Sequence, residues 1–72
     1  MQEKIKNRKQ LGAKLAEIRT SKGLTMYRVE RAGKLEFAQV KSVESGERNY
    51  TIDILLKYLD GIGETIESVF KN

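Results

Sequence analysis

The chain contains no cysteine, no histidine and no proline. Without cysteine, neither a disulfide framework nor a thiolate metal site can supply stability. Without histidine, the usual general base and the commonest zinc ligand are gone. Seventy-two residues make one small domain, too short to hold a deep catalytic cavity beside its core. The expectation is therefore a protein that is not an enzyme, with no metal, cofactor or small-molecule ligand. Long apolar stretches are missing as well: the longest, Ile54-Leu55-Leu56, is far below a membrane span. The N-terminus carries charges where a signal peptide needs an apolar core, so a cytoplasmic protein is expected. The lack of proline, with strong helix formers throughout, favours an all-α fold.

What is present is charge, unevenly spread. The net charge is +4, but residues 1–41 hold eleven Lys and Arg against four Glu, whereas the remainder holds three against six Asp and Glu. This asymmetry suits a polyanion on one side and solvent or a partner on the other. A merely solubilising surface is the plain alternative.

The stretch Leu24 to Gly46 organises the rest. Thr25 is a candidate N-cap for a short helix that buries Val29. The corner falls at Ala32-Gly33-Lys34-Leu35, where Gly33 can adopt the positive φ of a sharp turn. A further helix follows over residues 36–45, with Val40 and Val43 inward. Two helices joined by a short glycine-containing turn form a helix-turn-helix, whose second helix can lie in the major groove of DNA.

Around this unit the pattern supplies three more helices. Residues 1–8 read as a basic N-terminal tail and 9–72 as the domain, with Asn7 a candidate cap. Leu11, Leu15 and Ile18 give the first helix its stripe, and Gly23 stops it. Thr51 caps a fourth helix whose stripe is Ile52, Leu55, Leu56 and Leu59. Ile62, Ile66, Val69 and Phe70 make a fifth, either lid of the core or half of a dimer contact. The expected core is Leu11, Leu15, Ile18, Leu24, Val29, Leu35, Val40, Val43, Ile52, Leu55, Leu56, Leu59 and Ile62.

At 100° per residue, inward Val40 and Val43 leave Ala38, Lys41, Ser42 and Ser45 outward, flanked by Phe37 and Gln39. The candidate base readers are thus Phe37, Ala38, Gln39, Lys41 and Ser42. Lys41 can donate to guanine, Ser42 to several base edges and Gln39 to adenine, while Phe37 and Ala38 suit a thymine methyl. Thr25, Tyr27, Arg28, Lys34, Arg48, Asn49 and Tyr50 are candidates for phosphate, which positions a protein without specifying sequence. Glu36, at the helix start, favours the helix dipole but repels phosphate.

Leu11-Gly12, Leu15, Ile18-Arg19, Gly23-Leu24-Thr25, Val29, Leu35, Val40, Val43-Glu44, Gly46 and Thr51-Ile52-Asp53 together resemble the lambda-repressor-like, Cro/C1-type helix-turn-helix family, from Leu11 to Phe70. The resemblance implies a compact five-helix bundle that binds operator DNA, usually as a dimer, in bacteria or their phages. It implies an ion pair between an arginine late in the first helix and a glutamate closing the recognition helix, places held here by Arg19 and Glu44. The function it implies is a sequence-specific regulator of transcription, a small repressor or antitoxin-like protein; for its homodimer, Ile62, Ile66, Val69 and Phe70 of the fifth helix are the candidate contact. The chain also departs from the family. Met26 stands where a phosphate-gripping glutamine is usual, Glu30 replaces a small residue, and Tyr50 stands where proline is common. Lys34 occupies the usual turn glycine's place, with Gly33 one position early. These departures keep a second class open, a protein-interaction module on the same scaffold with weak or no DNA binding.

Overall fold

Four helices of the chain start where a side-chain oxygen takes up a free N–H of the first turn. Asn7 accepts from Gln10 N at 2.9 Å, Thr25 from Arg28 N at 3.2 Å, Thr51 from Ile54 N at 3.3 Å and Thr65 from Ser68 N at 3.1 Å. The computed structural model describes residues 4–70. Its helices are α1 (Arg8–Ser21), α2 (Met26–Gly33), α3 (Phe37–Ser45), α4 (Ile52–Ile62) and α5 (Ile66–Phe70). Among the described residues there is no strand, and no helix is long and apolar enough to cross a membrane. Of the tail expected over residues 1–8, residues 1–3 lie outside the described residues, as do residues 71–72. Within that stretch Ile5 packs against the core and Arg8 already belongs to α1.

The bundle is built mainly from two packed pairs, α1 against α3 and α2 against α4. Both pairs approach closely through a glycine. A Cβ on Gly12 of α1 would collide with the backbone carbonyls of Val43 and Glu44 at the end of α3. One on Gly33 would lie 2.5 Å from the Lys57 carbonyl of α4.

Gly33 is thus the contact and not the corner, which corrects the sequence reading. The residue with positive φ is Lys34, at φ 57° and ψ 47°, whose N–H bonds back to Glu30 O. Gly33 is the last residue of α2, and its missing side chain permits the approach of α4.

The core comprises Leu11, Leu15, Val29, Leu35, Val40, Val43, Leu55, Tyr58, Leu59, Ile62 and Val69. Two expected members are outside it: Ile52 is 61% exposed and Leu56 46%. Ile18 and Leu24 are half-buried against its edge. The inward face of α4 is set by Leu55, Tyr58, Leu59 and Ile62, spaced i, i+3, i+4 and i+7, so the fully buried Tyr58 shifts the face away from Ile52 and Leu56. Ile62 and Val69 are core as well, so they offer no surface for the dimer contact expected of them. Ile66 packs on the core too, which leaves Phe70, 41% exposed, as the accessible member of that set.

At the far end Lys22 fastens α1 to the close of α4. Its ammonium donates to Ile62 O at 2.6 Å and lies 2.6 Å from the Glu64 carboxylate. The Lys22 and Ser68 hydrogen bonds hold the Glu64 carboxyl below its ordinary pKa.

Candidate nucleic-acid interface

Recognition by a helix requires that the helix be held rigidly from behind and left open in front. The rear of α3 is held by two side chains, Arg19 and Tyr58, that converge on its own Glu44. Arg19 Nε donates to Glu44 Oε2 at 2.6 Å and its Nη2 to Oε1 at 3.2 Å, while Nη1 donates to Leu24 O at 2.8 Å. Tyr58 Oη donates to Glu44 Oε2 at 2.5 Å. One carboxylate in the last turn of α3 is therefore tied to α1 and α4, and the same guanidinium reaches the entry to α2. The paired side chains are only 14% and 11% exposed, so their attraction is weakly screened. The Glu44 hydrogen bond raises the Arg19 pKa further, and burial, followed by the bond to Glu44, pushes the Tyr58 phenol far above its ordinary value. At neutral pH both act as donors.

The front of α3 carries an open groove lined by Phe37, Ala38, Lys41, Ser42, Ser45, Glu47 and Arg48. Four of the five candidate base readers meet there. Gln39 does not: its Oε1 accepts from Glu36 N at 2.9 Å and is spent on starting the helix. Arg48, assigned from sequence to phosphate, lines the groove itself. Ser45 was outward in the sequence pattern but not among the assigned readers, and Glu47 was missed because it follows the helix, where periodicity says nothing.

The remaining phosphate candidates differ in exposure. Arg28, Lys34 and Asn49 are exposed. Thr25 is exposed but its hydroxyl caps α2. Tyr27, 61% exposed, accepts from Arg31 Nη1 at 3.2 Å, with the guanidinium 5.8 Å from its ring centre. Tyr50 is half-buried, and its burial raises the phenol pKa against the opposing charge of Arg8.

No protein-family model matches the sequence, and no curated protein matches it. Solved structures do. The restriction-modification controller protein C.AhdI from Aeromonas hydrophila is 30% identical, with 83% of this chain and 91% of that one covered, at a TM-score of 0.73. The chain belongs to the Cro/C1-type helix-turn-helix family. Two further neighbours share the fold. The clp gene regulator ClgR from C. glutamicum is 24% identical over 86% of this chain and 80% of its own, with a TM-score of 0.74. The controller protein C.Esp1396I is 22% identical over 89% and 83%, with a TM-score of 0.80.

In this Cro/C1-type domain the helix-turn-helix is α2, the Lys34 corner and α3. Met26, at the place of the family's usual glutamine, is half-buried against the core, so the start of α2 contributes packing there and no polar brace. Lys34 brings a charge to the corner that a glycine would lack.

Proposed function

We propose that the protein is a sequence-specific, double-stranded-DNA-binding regulator of transcription that places α3 in the major groove. The observation that carries this reading is the groove along α3, whose Lys41, Ser42 and Arg48 face outward while Arg19, Glu44 and Tyr58 hold the helix from behind. An α-helix fits the major groove, and donors there meet guanine O6 and N7 and other base edges. The exposed cations Arg28 and Lys34 suit the phosphate backbone. The relatives' names, controller protein and gene regulator, agree with a regulatory role and not a catalytic one. A cytoplasmic place of action goes with that partner.

Operator DNA is usually read by two copies, and exposed apolar side chains are available for the second. Ile52 and Leu56, one turn apart on α4, are exposed, as is Phe70. We assign the homodimer contact to these three residues in place of Ile62 and Val69.

Fluorescence anisotropy with labelled duplexes across a salt series tests the binding. Affinity should fall with a slope near −0.9 per phosphate neutralised. Lys34→Ala should weaken all sequences alike and make the slope shallower by about one unit. Lys41→Ala and Ser42→Ala should instead reduce the preference for the selected site over random DNA. A flat salt response would return the protein to the interaction-module class.

A further inference from the structure

The first turn of α3 presents a large apolar surface that the fold does not use. Phe37 opens the helix 52% exposed, and Ala38 beside it is exposed. Both line the groove, next to Lys41 and Ser42. The adjacent polar side chain is turned away, because the Gln39 carboxamide oxygen is engaged by the Glu36 N–H. This end of the groove therefore offers a ring and a methyl group to whatever enters, and the hydrogen-bonding groups begin one turn later.

In the major groove the base edges are donors and acceptors with one apolar exception, the methyl group on pyrimidine C5. We propose that Phe37 and Ala38 form a methyl-reading subsite, which takes the C5 methyl of a pyrimidine whether that base is thymine or 5-methylcytosine. The subsite rests on the DNA-binding reading above and gives it a chemical preference. It makes binding responsive to cytosine methylation at the position it faces, since a methylated C·G pair presents the same apolar group as T·A. Removing one methyl should weaken binding about fourfold, the equivalent of roughly 0.8 kcal/mol for one buried carbon group.

The test begins with a duplex enriched by the wild-type protein from a random pool, then remade with uracil at single thymine positions. One or two positions should lose about fourfold in affinity, measured by anisotropy at fixed salt. At such a position, 5-methylcytosine should bind about fourfold more tightly than cytosine. Phe37→Ala should bind thymine and uracil duplexes equally while keeping the wild-type salt slope, and Lys41→Ala should keep the thymine preference. Circular dichroism of Phe37→Ala checks that its exposed site leaves the fold intact. Equal binding of thymine and uracil duplexes at every position, or no gain from 5-methylcytosine, would overturn the methyl reading alone. Failure to enrich any duplex, with no salt-dependent binding, would overturn the DNA reading and this subsite with it.

Discussion

Tyr58 shows how one hydroxyl can matter to a helix it does not belong to. Its ring fills the core at 0% exposure while its Oη donates to Glu44 Oε2, the same oxygen that Arg19 Nε holds. Tyr58→Phe keeps the ring and removes the donor, and a hydrogen bond to a charged group contributes about 1.5–3 kcal/mol. Urea unfolding should show a loss of that size at neutral pH. The phenol's pKa is raised in the folded state, so its contribution is complete below the ordinary tyrosine value of 10.0 and declines as pH rises beyond it, because the unfolded chain ionises first. The stability gap between wild type and Tyr58→Phe should therefore narrow from about pH 10 upward. A constant gap across pH 8 to 11 would mean that burial does not hold the proton.

Among the elements, α4 makes the sharpest demand on its two sides. Leu59 is 1% exposed and Leu56 46%, although both are leucines in one turn of the same helix. Leu59→Ala should cost about 2–5 kcal/mol as a core truncation, and Leu56→Ala in the monomer less than about 1 kcal/mol. Equal losses would mean the helix is rotated. This is also where the sequence was ambiguous. Apolar residues run from Ile54 through Leu55 and Ile52 to Leu56 across more than half of the helix circumference, and a tyrosine carries no clear polarity, so counting aliphatics alone selects a face displaced toward solvent. Caps were easier to read, since Asn7, Thr25 and Thr51 act within three residues of their own positions. The groove along α3 was legible for the same reason, because Val40 and Val43 fix its angle from inside one helix. Tyr58 and the use of Gly33 were not, because each depends on a partner distant in sequence, Glu44 in one case and the Lys57 carbonyl in the other. Gln39 was assigned to DNA because its rotamer, turned back to Glu36, leaves no mark on periodicity.

At the scale of the molecule, the exposed cations include Arg28, Lys34, Lys41 and Arg48, and exposed apolar side chains remain on α4 and α5. A second copy of the chain would bury Ile52, Leu56 and Phe70 if they form the homodimer contact proposed for them. Sedimentation should find wild-type dimers at micromolar concentration, and Leu56→Lys should shift the population to monomer without loss of helical signal. If Leu56→Lys leaves the sedimentation unchanged, the contact lies elsewhere.

The left-handed Lys34 links the whole molecule to its life in a cell. A side chain at φ 57° is less stable than glycine there by roughly 1 kcal/mol, so Lys34→Gly should raise the melting temperature. It also removes a cation at the corner before α3, so the more stable variant should hold DNA less tightly and in a way that high salt abolishes. For most substitutions abundance and activity fall together, because unfolded protein is degraded. Here they should part: a strain carrying Lys34→Gly should accumulate more of the protein on an immunoblot and regulate its promoter less.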